Sequence, residues 1–227
     1  MTEKGGAAVT YEERIAQKPR WQADNAFIGG ILFRGYLPGQ PPCLREDLLR
    51  IRRIIEAYPG KLQENRELRS TAYLALARHL SQIPDPVCMR WHLSRIPLEN
   101  DKYVLGNMLD WIRYWPCIPP DADITPLLEC TRDSRWLVYE GAIEALSLCD
   151  TEEAREAVRP FLKREPIRKN ESVYGSVGMT LAKIGTPEDI PVLEELLARA
   201  NRNIKYNLNW AISGIRMRYP TLQKRTT

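Results

Sequence analysis

Histidine is nearly absent from this chain, with His79 and His92 the only two. A Ser-His-Asp or Cys-His arrangement needs an imidazole beside its nucleophile, so nucleophilic catalysis has little to stand on, and the i, i+4 pair Glu140 and Glu144 does not supply it. The five cysteines (Cys43, Cys88, Cys117, Cys130 and Cys149) are odd in number, scattered and without C-x-x-C spacing. Reduced, mostly buried thiols are expected. Cys88 and His92 would share a helix face and make half a zinc site, yet no second pair is placed to complete it. Phosphate-binding glycine motifs are missing too, with no Walker loop and no G-x-G-x-x-G after a strand. Neither a metal nor a cofactor is expected.

No apolar run approaches the roughly 20 residues that cross a bilayer. The first residues, Met1-Thr2-Glu3-Lys4-Gly5-Gly6, lack the basic-then-apolar layout of a secretory signal, so a cytoplasmic chain without a membrane partner is expected. Charge of one sign is in short supply: the net charge is +4 and the pI about 8.8, below the pI of about 9 expected of a dedicated nucleic-acid domain. Such a balance permits a nucleic-acid partner without demanding one.

What the chain does contain is a repeat. Val138, Ala142, Leu146 and Cys149 share their spacing with Val173, Val177, Leu181 and Ile184, and with Ile204, Leu208, Ile212 and Ile215. Leu68, Ala72, Leu76 and His79, then Val104, Met108, Ile112 and Trp115, carry the same pattern upstream. A period of this length marks stacked helical hairpins, each too small to bury its own face. Five pairs are predicted: 43–58 with 64–82, 85–95 with 101–116, 121–131 with 135–149, 152–164 with 171–185, and 187–200 with 203–218. The fold class is therefore all-α, an α-solenoid over 43–218, with a basic tail at 219–227.

Residues 1–42 stand outside the repeat. Thr10 and Glu13 have capping-box spacing, which predicts a helix over Tyr11 to Lys18 ended by Pro19. Gly29, Gly30, Gly35, Pro38, Gly39, Pro41 and Pro42 oppose a long helix, so 27–42 reads as an extended, turn-rich strap. Its expected role is to cover the open end of the first pair, with a partner-binding or self-associating arm as the alternative.

The stretches Gly141 to Ala154 and Val177 to Asp189 resemble HEAT repeats, closest to the type seen in phycobilin lyase-like bacterial proteins. The resemblance covers 134–216 well and 44–133 fairly. It implies a right-handed solenoid whose second helices line the concave side, and says little about activity, because the motif is one of packing.

Aligning the copies also aligns what is expected to face away from the core. Arg69, Leu105, Tyr139, Tyr174 and Lys205 share one column, and Tyr73, Leu109, Ile143, Gly178 and Asn209 another. Arg66, Arg135, Trp136, Arg202 and Tyr206 lie near helix starts, Arg113 near a helix end, and Trp111 and Trp210 break the repeat. Tyrosine, tryptophan and arginine supply contact area and bidentate hydrogen bonds at interfaces, so Arg66, Arg69, Tyr73, Trp111, Arg113, Arg135, Trp136, Tyr139, Tyr174, Arg202, Lys205, Tyr206, Asn209 and Trp210 are the candidate partner-binding groove. The opposing interpretation is that several are ridge residues packed against the next pair. The basic run Arg159, Lys163, Arg164, Arg168 and Lys169 reads as a solvated face.

The expected function is non-enzymatic binding of another macromolecule, a protein first, along this groove. HEAT-like bacterial scaffolds and toxin-immunity proteins are what the resemblance offers as analogues. The alternative is a nucleic-acid-binding protein similar to the DNA-alkylation-repeat glycosylases, suggested by Asp110-Trp111, Arg135-Trp136-Leu137 and Asn209-Trp210-Ala211. It departs from that family at Trp115, where an aspartate is expected, and at Tyr139, where an arginine is expected.

Overall fold

A computed structural model describes residues 11–34, 43–163 and 171–220. Thr10, residues 35–42 of the strap, the basic-run members Arg164, Arg168 and Lys169, and the tail beyond Pro220 lie outside the described residues. Those described form eleven α-helices, linked by loops and short 3-10 turns, with no strand among them. They divide into two compact units, Met1–Ile83 and Pro84–Thr227. The boundary falls inside the span expected to be one continuous solenoid.

The first unit holds α1 (Tyr11–Arg34), α2 (Arg45–Ala57) and α3 (Gln63–Gln82). Here the prediction fails at α1, which runs through Pro19 and through Gly29 and Gly30 instead of stopping at Lys18 and extending. Packing overrides propensity: Ile28 and Ile31 are buried, and α1 packs on both α2 and α3. Polar contacts hold the same register. The Trp21 indole donates to the Glu64 carbonyl at 3.3 Å, and the buried Asp24 carboxylate accepts from the Tyr58 hydroxyl at 2.9 Å and from Arg50 at 3.1 Å. Burial, reinforced by Asp24, pushes the Tyr58 phenol up to about 12. α2 stops where expected, and Gly60 takes a φ of 87° that other residues rarely adopt.

The second unit holds four helix pairs: α4 (Pro86–Arg95) with α5 (Lys102–Ile112), α6 (Thr125–Cys130) with α7 (Trp136–Leu146), α8 (Glu152–Val158) with α9 (Glu171–Ile184), and α10 (Ile190–Arg199) with α11 (Arg202–Arg218). Each falls within a residue or a few of its predicted span because the starts are chemically marked. Asp85 accepts from the Val87 and Cys88 amides, Asp101 from Tyr103 and Val104, and Asn201 from Ile204, satisfying donors a helix start leaves open. Pro126 and Pro191 stand in first turns, where a missing N–H costs nothing. The first helices are the shorter ones.

Second helices pack in sequence, α5 on α7, α7 on α9 and α9 on α11, more extensively than the first helices pack on one another. Glycine makes the close spacing possible. A Cβ on Gly141 would sit 2.9 Å from the Leu109 Cβ, and one on Gly178 would sit 2.7 Å from the Asn207 carbonyl oxygen. The core lies between the layers, where Val104, Met108, Val138, Ala142, Leu146, Val173, Val177 and Leu181 are buried as the repeat requires.

Candidate functional site

The two columns expected to face a ligand do not, except at the last helix. Leu105 and Tyr174 are buried in one column, and Leu109, Ile143 and Gly178 in the other; Tyr139 is half-buried, and only Lys205 and Asn209 are exposed. The reason is geometric. These positions form the ridge on which the following second helix rests, and no helix follows α11 among the described residues. Tyr174 therefore belongs to the core. Tyr139 packs its ring on Phe161, with centroids 5.5 Å apart. Arg66, Arg69 and Tyr73 belong to the first unit. There Tyr73 is buried, Arg69 is buried and donates to the Tyr58 carbonyl, and Arg66 is half-buried. Arg69, Tyr73 and Tyr174 are thus removed from the contact surface.

What the second unit does present is a set of aromatics. Tyr103, Tyr114, Trp136, Tyr206 and Trp210 are exposed, and each lies on a second helix or directly after one. Trp111 is half-buried at the end of α5, its ring tilted 34° against Tyr114 with centroids 5.9 Å apart. Tyr103 and Tyr114 stand outside the columns that the repeat brings into register. Tyr114 was legible in another way, because it stands i+3 from Trp111 on the helical period.

Beside these rings runs a polar ladder. Arg113 bonds to Glu144, reaches Asp110 at 3.3 Å, and donates to the Tyr114 hydroxyl at 2.7 Å. Glu144 accepts from Ser176 at 2.8 Å, and Glu140 from Ser172 at 2.6 Å. Thr180 donates to the Ile143 carbonyl at 2.8 Å. The ladder ties α5, α7 and α9 together with side chains, where glycine does the same work elsewhere. Burial raises the Asp110 carboxyl against the pull of Arg113, with Glu144 adding to the rise. Burial likewise raises Glu140, opposed by the Ser172 bond.

Arg135, at the N-cap of α7, is half-buried and taken up locally. It makes a bidentate pair with Asp133 at 2.8 and 2.6 Å, and its hydrogen bonds hold the Asp133 carboxyl below its usual value. Arg159, from the basic run, is likewise taken up by Asp189 at 2.7 Å and by Glu152. Arg202, Lys205, Tyr206, Asn209 and Trp210 remain exposed together on α11.

Two clefts open on the first-helix side. One of about 530 Å³ between α6 and α8 is lined by Leu128, Arg132, Glu153, Glu156 and Phe161. The other, about 390 Å³, lies between α8 and α10 over the Arg159–Asp189 pair. Among the described residues no three His, Cys, Asp or Glu side chains converge as a metal site would need. His92 and Cys88 are buried. The His92 ring bonds to the Met108 carbonyl at 3.2 Å and meets Trp115 edge-on, centroids 5.0 Å apart. Burial pulls its pKa down to about 4. No described helix is long and apolar enough to cross a membrane.

Paired helices stacked in two layers, with one layer offering a continuous face, define the class: an α-solenoid. Residues 124–213, from α6 into α11, match the family model described as HEAT repeats. The match carries no phycobilin-lyase subtype. Comparisons with curated proteins and with solved structures found no match. HEAT repeats generally serve as protein-interaction scaffolds.

Proposed function

We propose that this protein is a non-enzymatic binding protein that grips a protein partner on the second-helix face of Pro84–Thr227. The observation that carries this reading is the placement of the exposed aromatics. Tyr103, Tyr114, Trp136, Tyr206 and Trp210 all gather on that face, and packing asks for none of them there. Large, stiff aromatic side chains are the residues that anchor protein interfaces. A nucleic-acid partner has less support. Arg113 is already engaged by Asp110 and Glu144, and Arg135 by Asp133, and Asp110 and Glu144 set negative charge beside the aromatics where phosphates would run.

The test is quantitative. A partner recovered by affinity capture and identified by mass is titrated calorimetrically against the protein and against Tyr114→Ala/Trp136→Ala. Both side chains are exposed, so the fold should survive, with a small drop in melting temperature from the lost Tyr114 contacts to Arg113 and Trp111, while affinity falls about tenfold, or about 1.4 kcal/mol. Unchanged affinity removes the face from the interface. A recovered partner that proves to be a nucleic acid removes the protein reading.

A further inference from the structure

The last helix is built unlike the others, and its exposed side points to a partner chemistry. On α5 and α9 glycines stand at the close approach of the next second helix: Gly106 lies under Leu137, and Gly175 and Gly178 lie against Asn207. Carried forward by the repeat, the places of Gly106 and Gly175 fall on Glu140 in α7 and on Tyr206 in α11, and the place of Gly178 falls on Asn209. Only α11 carries a large exposed aromatic ring at the first of these places. The side of α11 away from the core is therefore not polar throughout. Tyr206, Trp210 and Met217 are 73%, 48% and 79% exposed and fall within about 40° of one another around the helix. Arg202, Lys205 and Arg216 line one flank of that stripe, and α11 contains no acidic residue at all. Arg216 pairs with Glu194 at 2.8 Å, whereas Arg202 and Lys205 make no ion pair among the described residues.

We infer that the exposed side of α11, at the end of the second-helix face, is a docking surface for an acidic amphipathic helix of a partner protein, whose apolar residues cover Tyr206, Trp210 and Met217 and whose carboxylates meet Arg202 and Lys205. This rests on the reading of the second-helix face as a protein-binding surface and names the chemistry of what binds at its end. A stripe with i, i+4, i+11 spacing is what a helix presents to another helix. Charge complementarity fixes the sign of the partner, because like charges across an interface are costly. The chain's own segment 221–227 is the wrong occupant, since it brings Lys224 and Arg225 and a single large apolar residue, Leu222. Two uncommitted cations beside an exposed methionine also suit a protein better than a phosphate backbone.

The probe is a fluorescein-labelled helical peptide with leucine at i, i+4, i+7 and i+11 and glutamate elsewhere, followed by anisotropy. Its lysine counterpart and a short DNA duplex are run beside it. The full chain should bind the glutamate peptide at least tenfold more tightly than either control. Tyr206→Ala/Trp210→Ala and Arg202→Glu/Lys205→Glu should each lose at least tenfold, with circular dichroism melts unchanged because all four side chains are exposed. Equal binding of the lysine peptide, tighter binding of the duplex, or no binding of the glutamate peptide overturns the inference. A loss caused by Tyr114→Ala/Trp136→Ala and not by the α11 variants overturns the α11 assignment while leaving the wider face standing.

Discussion

His92 shows how a single residue sets a pH response. Its ring is wholly buried and its folded pKa is about 4, against roughly 6.5 in an unfolded chain. Above pH 6.5 it is neutral in both states and the fold keeps its full stability. As pH falls toward 4 the unfolded chain takes up the proton first, so stability drains across that window. Between pH 7 and 5 the loss amounts to about 2 kcal/mol, read as a falling melting temperature. In His92→Gln the pH-dependent part of that fall should shrink; an identical slope would place the buried proton site elsewhere. Residues also show where the sequence misleads. Tyr174 and Lys205 occupy the same column of the repeat, yet one is fully buried and the other exposed. What differs, among the described residues, is whether another helix rests on the column, and no pattern of residue types records that by itself. Trp136 and Trp210 were legible for the opposite reason, since they interrupt the repeat where packing calls for nothing large.

At the scale of elements, glycine has two opposite meanings in this chain. Gly178 lies under α11, and a Cβ there would meet the Asn207 carbonyl at 2.7 Å, a backbone atom with no rotamer to yield. Gly178→Ala should therefore lose about 1–3 kcal/mol in denaturant titration, the usual cost of overpacking. Gly29 and Gly30 are exposed in α1 with nothing within 4 Å of a would-be Cβ. Alanine at either should gain about 0.5–1 kcal/mol, since the helix no longer bears glycine's entropy. A loss at Gly29 or Gly30, or a gain at Gly178, would contradict the packing described. The same residues explain why α1 departs from what its glycines and proline predict. Density of glycine and proline is a local signal, whereas the burial of Ile28 and Ile31 against α2 and α3 is a tertiary one. The helix pairs of the second unit were legible because period, caps and first-turn prolines all agree.

For the whole molecule, the division at Ile83 and Pro84 predicts that residues 84–227 fold alone. That fragment carries four complete pairs and should melt cooperatively by circular dichroism. A broad, non-cooperative melt would mean that its core depends on the first unit. The solenoid architecture could be read in advance because a repeat states its own stacking. The binding face could be read only in part, because the ladder of Arg113, Glu144 and Ser176 joins three helices that are far apart in sequence. Asn207 adds a rule about how such a chain can lengthen. Its backbone sits against Gly178 and its side chain against Gly175, so a pair inserted between α9 and α10 leaves α11 as closely seated only if the inserted second helix repeats both glycines.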